Sequence, residues 1–183
     1  MIHRSQVAVA APTLALVLLT LSLHPSPLAA QEKPFQLSLI GPTLQVVDDD
    51  ADIRGLRLNI LYGVNENVTG LDVGLVNHAR GDFKGLQWGL VGLTDGRFTG
   101  WQNGVVNVAR EEMYGLQDGL VNVMGRGEGV QWGVFNRTRH LGGLQVALVN
   151  VADDLYGLQV GIVNIIRSKE RLPILPLVNW KFE

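Results

Sequence analysis

Bulky apolar side chains recur along the chain in one phrase, which opens at Gly55, Gly70, Gly85, Gly100, Gly115, Gly129, Gly143 and Gly157. The intervals are 15 residues as far as Gly115 and 14 thereafter. Its clearest copies read GLQWGLVGL (85–93), GLQDGLVNV (115–123), GLQVALVNV (143–151) and GLQVGIVNI (157–165). A degenerate last copy, ILPLVNWKF (174–182), keeps the LVN core, and PFQLSLI (34–40) offers an opening strand. Two Gly four positions apart cost a helix about 1 kcal/mol apiece, and Val and Ile crowd the helical turn. Between copies stand DGR (95–97), REE (110–112), GRGE (125–128) and DD (153–154), which are turn residues. The pattern predicts one strand of about ten residues and one tight turn per repeat.

Counting in twos assigns the faces. One side carries Leu86, Trp88 and Leu90, and in other copies Trp101, Leu116, Trp132 and Leu158, with Tyr114 and Tyr156 near the turns. The other carries Gln87, Gly89 and Val91, echoed by Gln117, Gly119 and Val121. Large apolar groups on one side and small or amide groups on the other suit a narrow membrane barrel, with lipid outside and a filled lumen. The leading expectation is therefore an all-β, repeat-built up-and-down barrel or barrel-like meander of eight to ten strands. Three features resist it. Asn103 and Asp118 fall at mid-strand on the lipid side, where charge is costly. The count also turns the Asn column outward: Asn77, Asn107, Asn122, Asn136, Asn150 and Asn164. Finally, an antiparallel neighbour does not place a residue beside its own copy. A parallel β-solenoid with one coil per 14–15 residues does, and would stack the amides as ladders. It is the alternative.

The first 30 residues read as a secretory signal peptide: Arg4, an apolar run from Val7 to Leu23, and the small residues Leu28-Ala29-Ala30 before Gln31. This leaves residues 31–183 as one repeat-built β domain. Removing Arg4 leaves 14 basic against 17 acidic residues, a net charge of minus three without a basic patch, which argues against a nucleic-acid partner. The chain has no Cys, so disulfide scaffolds, Cys-ligated metals and thiol nucleophiles are excluded.

The repeated G-[LVW]-Q-x-G-[LVI]-[VF]-N phrase, behind a signal segment and before PLVNWKF, resembles the bacterial surface-repeat-containing proteins over residues 35–182. The resemblance implies the outer membrane or cell surface of a Gram-negative bacterium. It brings no catalytic residues.

Candidate chemistry is sparse. Asp48-Asp49-Asp50-Ala51-Asp52 has oxygen ligands for a hard cation but lacks the Gly and distal Glu of an EF-hand loop, and reads as a solvated turn. His78 and His140 have no partner at ligand spacing, and no GxSxG, P-loop or HExxH occurs. The expectation is a non-enzymatic protein without cofactor or metal. Gln87, Gln102, Gln117, Gln131, Gln145 and Gln159, together with the Asn column, read as structural amides satisfying one another. Trp88, Trp101, Trp132, Tyr114 and Tyr156 are the candidate contacts for a membrane or partner. Asn67-Val68-Thr69 and Asn136-Arg137-Thr138 match glycosylation sequons. The expected role is an exported envelope or outer-membrane protein with a structural function; the alternative is a secreted solenoid binding a glycan or protein.

Overall fold

Strand accounts for 81% of residues 32–183, the part that the computed structural model describes. The expected signal segment lies outside those residues. Eight strands follow in chain order: β1 Lys33–Ile40, β2 Leu44–Gln45, β3 Ile53–Asn65, β4 Val68–Ala79, β5 Phe83–Thr94, β6 Arg97–Val146, β7 Val149–Ile166 and β8 Ile174–Lys181. Of these, β6 is one long winding run that contains the copies opening at Gly100, Gly115, Gly129 and Gly143.

Neighbouring coils pair in parallel. Gly55 sits beside Gly70, Gly70 beside Gly85, and Gly85 beside Gly100, each repeat lying on the next with like residues matched. In the second half Gln145 pairs with Gln159 and Asn136 with Asn150. The molecule is thus a β-solenoid of about seven turns, and the barrel expectation is corrected. The physical reason lies in the side chains: strands about 4.8 Å apart place identical amides within hydrogen-bond reach only when they run in parallel and in register. Parallel strands without crossover helices can do this because each coil returns by its own second side.

Each coil has an apolar half and an amide half. One inward column runs Ile53, Val68, Phe83, Phe98 and Met113, resuming at Leu141 and Leu155, and packs with Ala79, Ala109, Met124, Ala152 and Ile166 from the far side of the coil. Phe83 and Phe98 stack nearly flat, 4.9 Å between ring centroids. The change of repeat length has a local cause. Between the inward Ala109 and Met113 lie three corner residues, Arg110-Glu111-Glu112; between Met124 and Gly127 lie two, Gly125-Arg126, and the register offset drops from 15 to 14.

The ends are built differently from the middle. At the first, β1 lies parallel on β3 and β2 folds back antiparallel on β1. At the last, β8 runs antiparallel on β7, with Trp180 beside Leu158 and Asn179 beside Gln159. The degenerate final copy is therefore a cap rather than another coil, and terminal caps of this sort are what solenoids require.

Candidate functional site

The predicted Gln column is a continuous buried ladder. Gln102 Nε2 donates to Gln87 Oε1, Gln117 to Gln102 and Gln131 to Gln117, each at 2.8 Å, then Gln145 to Gln131 and Gln159 to Gln145 at 2.7 Å. Every amide donates toward the N-terminal end. There the row meets a carboxylate, since Gln87 Nε2 donates to Asp72 Oδ2 at 2.9 Å. Asp72 is in turn held by Arg57, whose Nε and Nη2 donate to its two oxygens at 2.8 and 2.6 Å, and by Asn59 Nδ2 at 2.9 Å. Arg57 and Asp72 are both fully buried. A row of parallel amide dipoles places its positive end at Asp72, so the anion stands where the field favours it.

The Asn column is the second ladder, and here the count in twos fails. Asn77, Asn107, Asn122, Asn136, Asn150 and Asn164 are buried rather than outward. The chain turns a corner at the two residues before each Asn, such as Leu120-Val121, which both face out and reset the alternation. Asn107 Nδ2 donates to Asn122 Oδ1, Asn122 to Asn136, Asn136 to Asn150 and Asn150 to Asn164, over 2.8–3.0 Å. The same nitrogen also reaches the backbone carbonyl that precedes the second Gly of the following coil: Trp88 from Asn77, Asp118 from Asn107, Trp132 from Asn122. This ladder donates toward the C-terminal end, opposite to the Gln row.

Directionality explains three orphaned groups. Gln159 Oε1, Asn107 Oδ1 and Asn59 Oδ1 are buried acceptors without a partner. Each is the acceptor end of a head-to-tail row, where no further coil donates. Asn107 begins a row because Gly92 occupies the Asn position of the preceding coil.

The five predicted aromatic contacts all stand outside, with Trp88 61% and Trp132 57% exposed. Trp88 and Trp101 tilt together with centroids 6.5 Å apart. Tyr156 meets Phe182 edge-on at 5.9 Å near the C-terminal cap. Between Trp88 and Trp132 on the same column lie Asn103 and Asp118, joined by an Asn103 Nδ2 to Asp118 Oδ2 bond of 3.1 Å. A shallow groove of about 570 Å³ runs along Gly104, Asp118, Gly119 and Trp132. A second, more apolar groove of about 470 Å³ lies between Trp132, Leu148, Ile162 and Leu177.

One constellation escaped the sequence reading. Tyr62 OH bonds His78 Nδ1 at 2.9 Å, and His78 Nε2 bonds Asp95 Oδ2 at 3.0 Å. The residues are one coil apart, a spacing that the repeat period alone would have shown had parallel stacking been known. Burial pushes the Tyr62 hydroxyl above its ordinary pKa, so it remains a protonated donor, the reverse of an activated phenolate. Asp95 is also paired to Arg110 at 3.0 Å. The row reads as a surface ladder tying three coils together.

The remaining candidates resolve into structure. Within the acidic run, Asp52 Oδ1 accepts from Asn67 N and Nδ2, and Asp49 pairs with Arg80. Among the described residues no three His, Cys, Asp or Glu side chains gather as a metal site. His140 is exposed, and Asn136, the head of one sequon, is fully buried and out of reach of a glycan. Comparison with family models, with curated proteins and with solved structures finds no match.

Proposed function

We propose that this chain is a non-enzymatic structural component of the exported cell envelope, placed at the outer membrane or cell surface, that works by burying a flat apolar face against protein. One observation carries the reading. The outward positions of each repeat, Leu86-Trp88-Leu90 in one coil and Leu116-Asp118-Leu120 in another, line up into three columns of Leu, Val and Trp along the molecule. Monomers rarely expose more than roughly 300–600 Å² of contiguous apolar surface, and a strip this long reaches or exceeds that range. The rigid amide interior supports it: side chains set on a ladder hold fixed positions, which suits a docking face. The export reading rests on the N-terminal 30 residues.

The test is fractionation of cells carrying wild-type protein or the double variant Leu90→Asp/Leu120→Asp. Both positions lie outside, so the fold is retained, as circular dichroism will show. Wild-type protein is expected in the envelope fraction, processed near Gln31 and in a species larger than a monomer; the variant is expected to be released as a monomer. Identical behaviour of the two proteins would refute the reading.

A second reading has its own observation. Exposed indoles flanking an amide–carboxylate pair resemble the stacking and hydroxyl-bonding groups that hold a sugar ring. Quenching of Trp fluorescence by envelope polysaccharide, lost in Asp118→Ala, would favour it.

A further inference from the structure

The apolar face is a palindrome. Along its central column, starting from the middle, Asn103 and Asp118 are adjacent, and Trp88 and Trp132 flank them. Outward again come Val73 on one side and Val146 on the other, then Leu58 and Val160. The caps continue the symmetry, with Leu37 of β1 beyond Leu58 and Val178 of β8 beyond Val160. The neighbouring column ends likewise in an aromatic at both extremes, Phe35 beside Leu56 and Trp180 beside Leu158. Nothing in the folding of a single chain requires this order, because these side chains point away from the interior.

We infer that two copies of the chain pack face to face about a two-fold axis that lies in the interface, parallel to the strands, and passes between the coils of Asn103 and Asp118. The inference rests on the reading of this face as one buried against protein, and names the partner. Such an axis reverses the order of coils while keeping each column opposite itself. Asn103 then faces the partner copy's Asp118, Trp88 faces the partner's Trp132, and Trp101 meets the smaller Leu116. An isologous interface needs this reciprocity, each patch serving both subunits.

Charge selects the axis. The alternative two-fold, parallel to the solenoid axis, lays every coil on its own copy and sets Asp118 against Asp118 in an apolar seam. Like charges there cost several kcal/mol. The reversed arrangement removes that clash and also aligns the rim. Lys84 and Glu128 occupy the same position in their repeats, immediately before Gly85 and Gly129, in coils equally distant from the centre. Both are exposed, and neither forms an ion pair among the described residues. The two-fold brings Lys84 of one copy to Glu128 of the other, twice.

The area suffices. Coils at ~4.8 Å and a five-residue width at ~3.3 Å per residue give a patch of roughly 700 Å² per copy. Specific interfaces bury about 800 Å² per partner. Two sheets packed this way lie ~10 Å apart with strands within about 30°.

The experiment is analytical ultracentrifugation of the processed full-length protein at micromolar concentration. A dimer is expected. Lys84→Glu or Glu128→Lys should each weaken it at least tenfold, and the double exchange Lys84→Glu/Glu128→Lys should restore it; restoration is an outcome that misfolding cannot produce. Because the chain has no Cys, crosslinking adds a geometric readout. Lys84→Cys/Glu128→Cys should form an oxidised dimer, whereas Trp88→Cys alone should not. A monomer, or efficient crosslinking through position 88 alone, would overturn the inference. A monomeric wild type whose envelope recovery still depends on Leu90 and Leu120 would end the dimer and leave the proposed function standing; if recovery is independent of them as well, both fall.

Discussion

Arg57 and Asp72 occupy the Gln positions of their coils, and the substitution of a charged pair for two amides is the sharpest departure in the interior. The pair is bidentate, fully buried and satisfied by Asn59, Gln87 and the His78 carbonyl. Breaking such a pair is worse than replacing it, since one unpaired buried charge costs about 3–5 kcal/mol. Asp72→Gln alone should therefore destabilise by that order, read as a shifted denaturant midpoint. The double variant Arg57→Gln/Asp72→Gln restores the repeat and extends the ladder, and should recover most of the loss. Additive losses in the cycle would show that Asp72 does not anchor the row. In the middle of the ladder, Gln117→Ala leaves Gln131 Nε2 and Gln102 Oε1 facing a void. A cost of about 1–3 kcal/mol is expected. At the open end Gln159→Ala takes a donor from Gln145 Oε1 and the Ile165 carbonyl but leaves no amide donor unpaired and removes an acceptor that was already orphaned, so it should cost less.

Within one coil, the two Gly of the phrase are required to different degrees. Gly115 has φ +132°, and a Cβ there would sit 2.0 Å from the Gly100 carbonyl oxygen. A Cβ at Gly119 would also come within 2.2 Å of a carbonyl oxygen, that of Gly104, but φ there is ordinary and the counterpart one coil past Gly133 is already Ala147, so this position adjusts to a methyl. Gly115→Ala should thus abolish folding or cost several times as much as Gly119→Ala, compared by thermal melts. The corners carry the charge. Asp153 lies between Arg137 and Arg167 at 2.7 and 2.8 Å, and the Arg137 hydrogen bond holds its carboxyl below the usual range. Lys181 and Ser168 do the same for Asp154, and Arg97 for Glu112. A folded pKa below the unfolded value gives stability that is present above the unfolded pKa and vanishes as pH falls through the folded one. The melting temperature should hold near neutrality and drop on acidification, with Asp153→Asn showing a shallower acid limb. These pairs are largely exposed, so the change is small. Here the limits of reading from sequence are plain. Strand and the outward Leu86-Trp88-Leu90 face were legible, because alternation depends only on the pleat; the tight turns expected at 110–112, 125–128 and 153–154 are instead corners within the continuous strands β6 and β7. Strand direction was not legible, since a repeat length says nothing about whether the next copy runs with or against the last. The identity of Gln102, Gln117 and Gln131 was the clue to parallel stacking. The Asn column was misplaced because a corner that turns two successive residues outward is invisible to a count in twos.

For the molecule as a whole, a solenoid is close to one-dimensional: each coil touches its neighbours, and stability is roughly a sum over coils and their interfaces. This makes whole-coil editing a stringent test of both register and association. Residues 129–142 form one complete 14-residue period, since Asn122 and Asn136 are bonded across that interval. Deleting them joins Glu128 to Gly143 and sets Gln117 against Gln145 and Asn122 against Asn150, so both ladders close again. The shortened chain should fold to an all-β molecule that melts at a lower temperature but with one cooperative transition. Removing residues 129–143 instead, one residue more, leaves 13 residues from Gln117 to Gln145, shorter than the 14- and 15-residue offsets between the coils of β3 to β7, and should leave the chain unfolded beyond Glu128 or aggregated. The two deletions differ by a single residue, so composition cannot account for a difference between them. The in-register deletion also removes Trp132 while sparing Trp88, and it displaces the centre of the apolar palindrome by half a coil. Asn103 and Asp118 still meet across an axis between them, but Trp88 then faces Val146 in place of Trp132 and the first coil is left without a match. A folded product that dimerises at least tenfold more weakly is the expected outcome by ultracentrifugation, which separates the interior, where any whole coil will serve, from the outer face, where the order of coils carries the information.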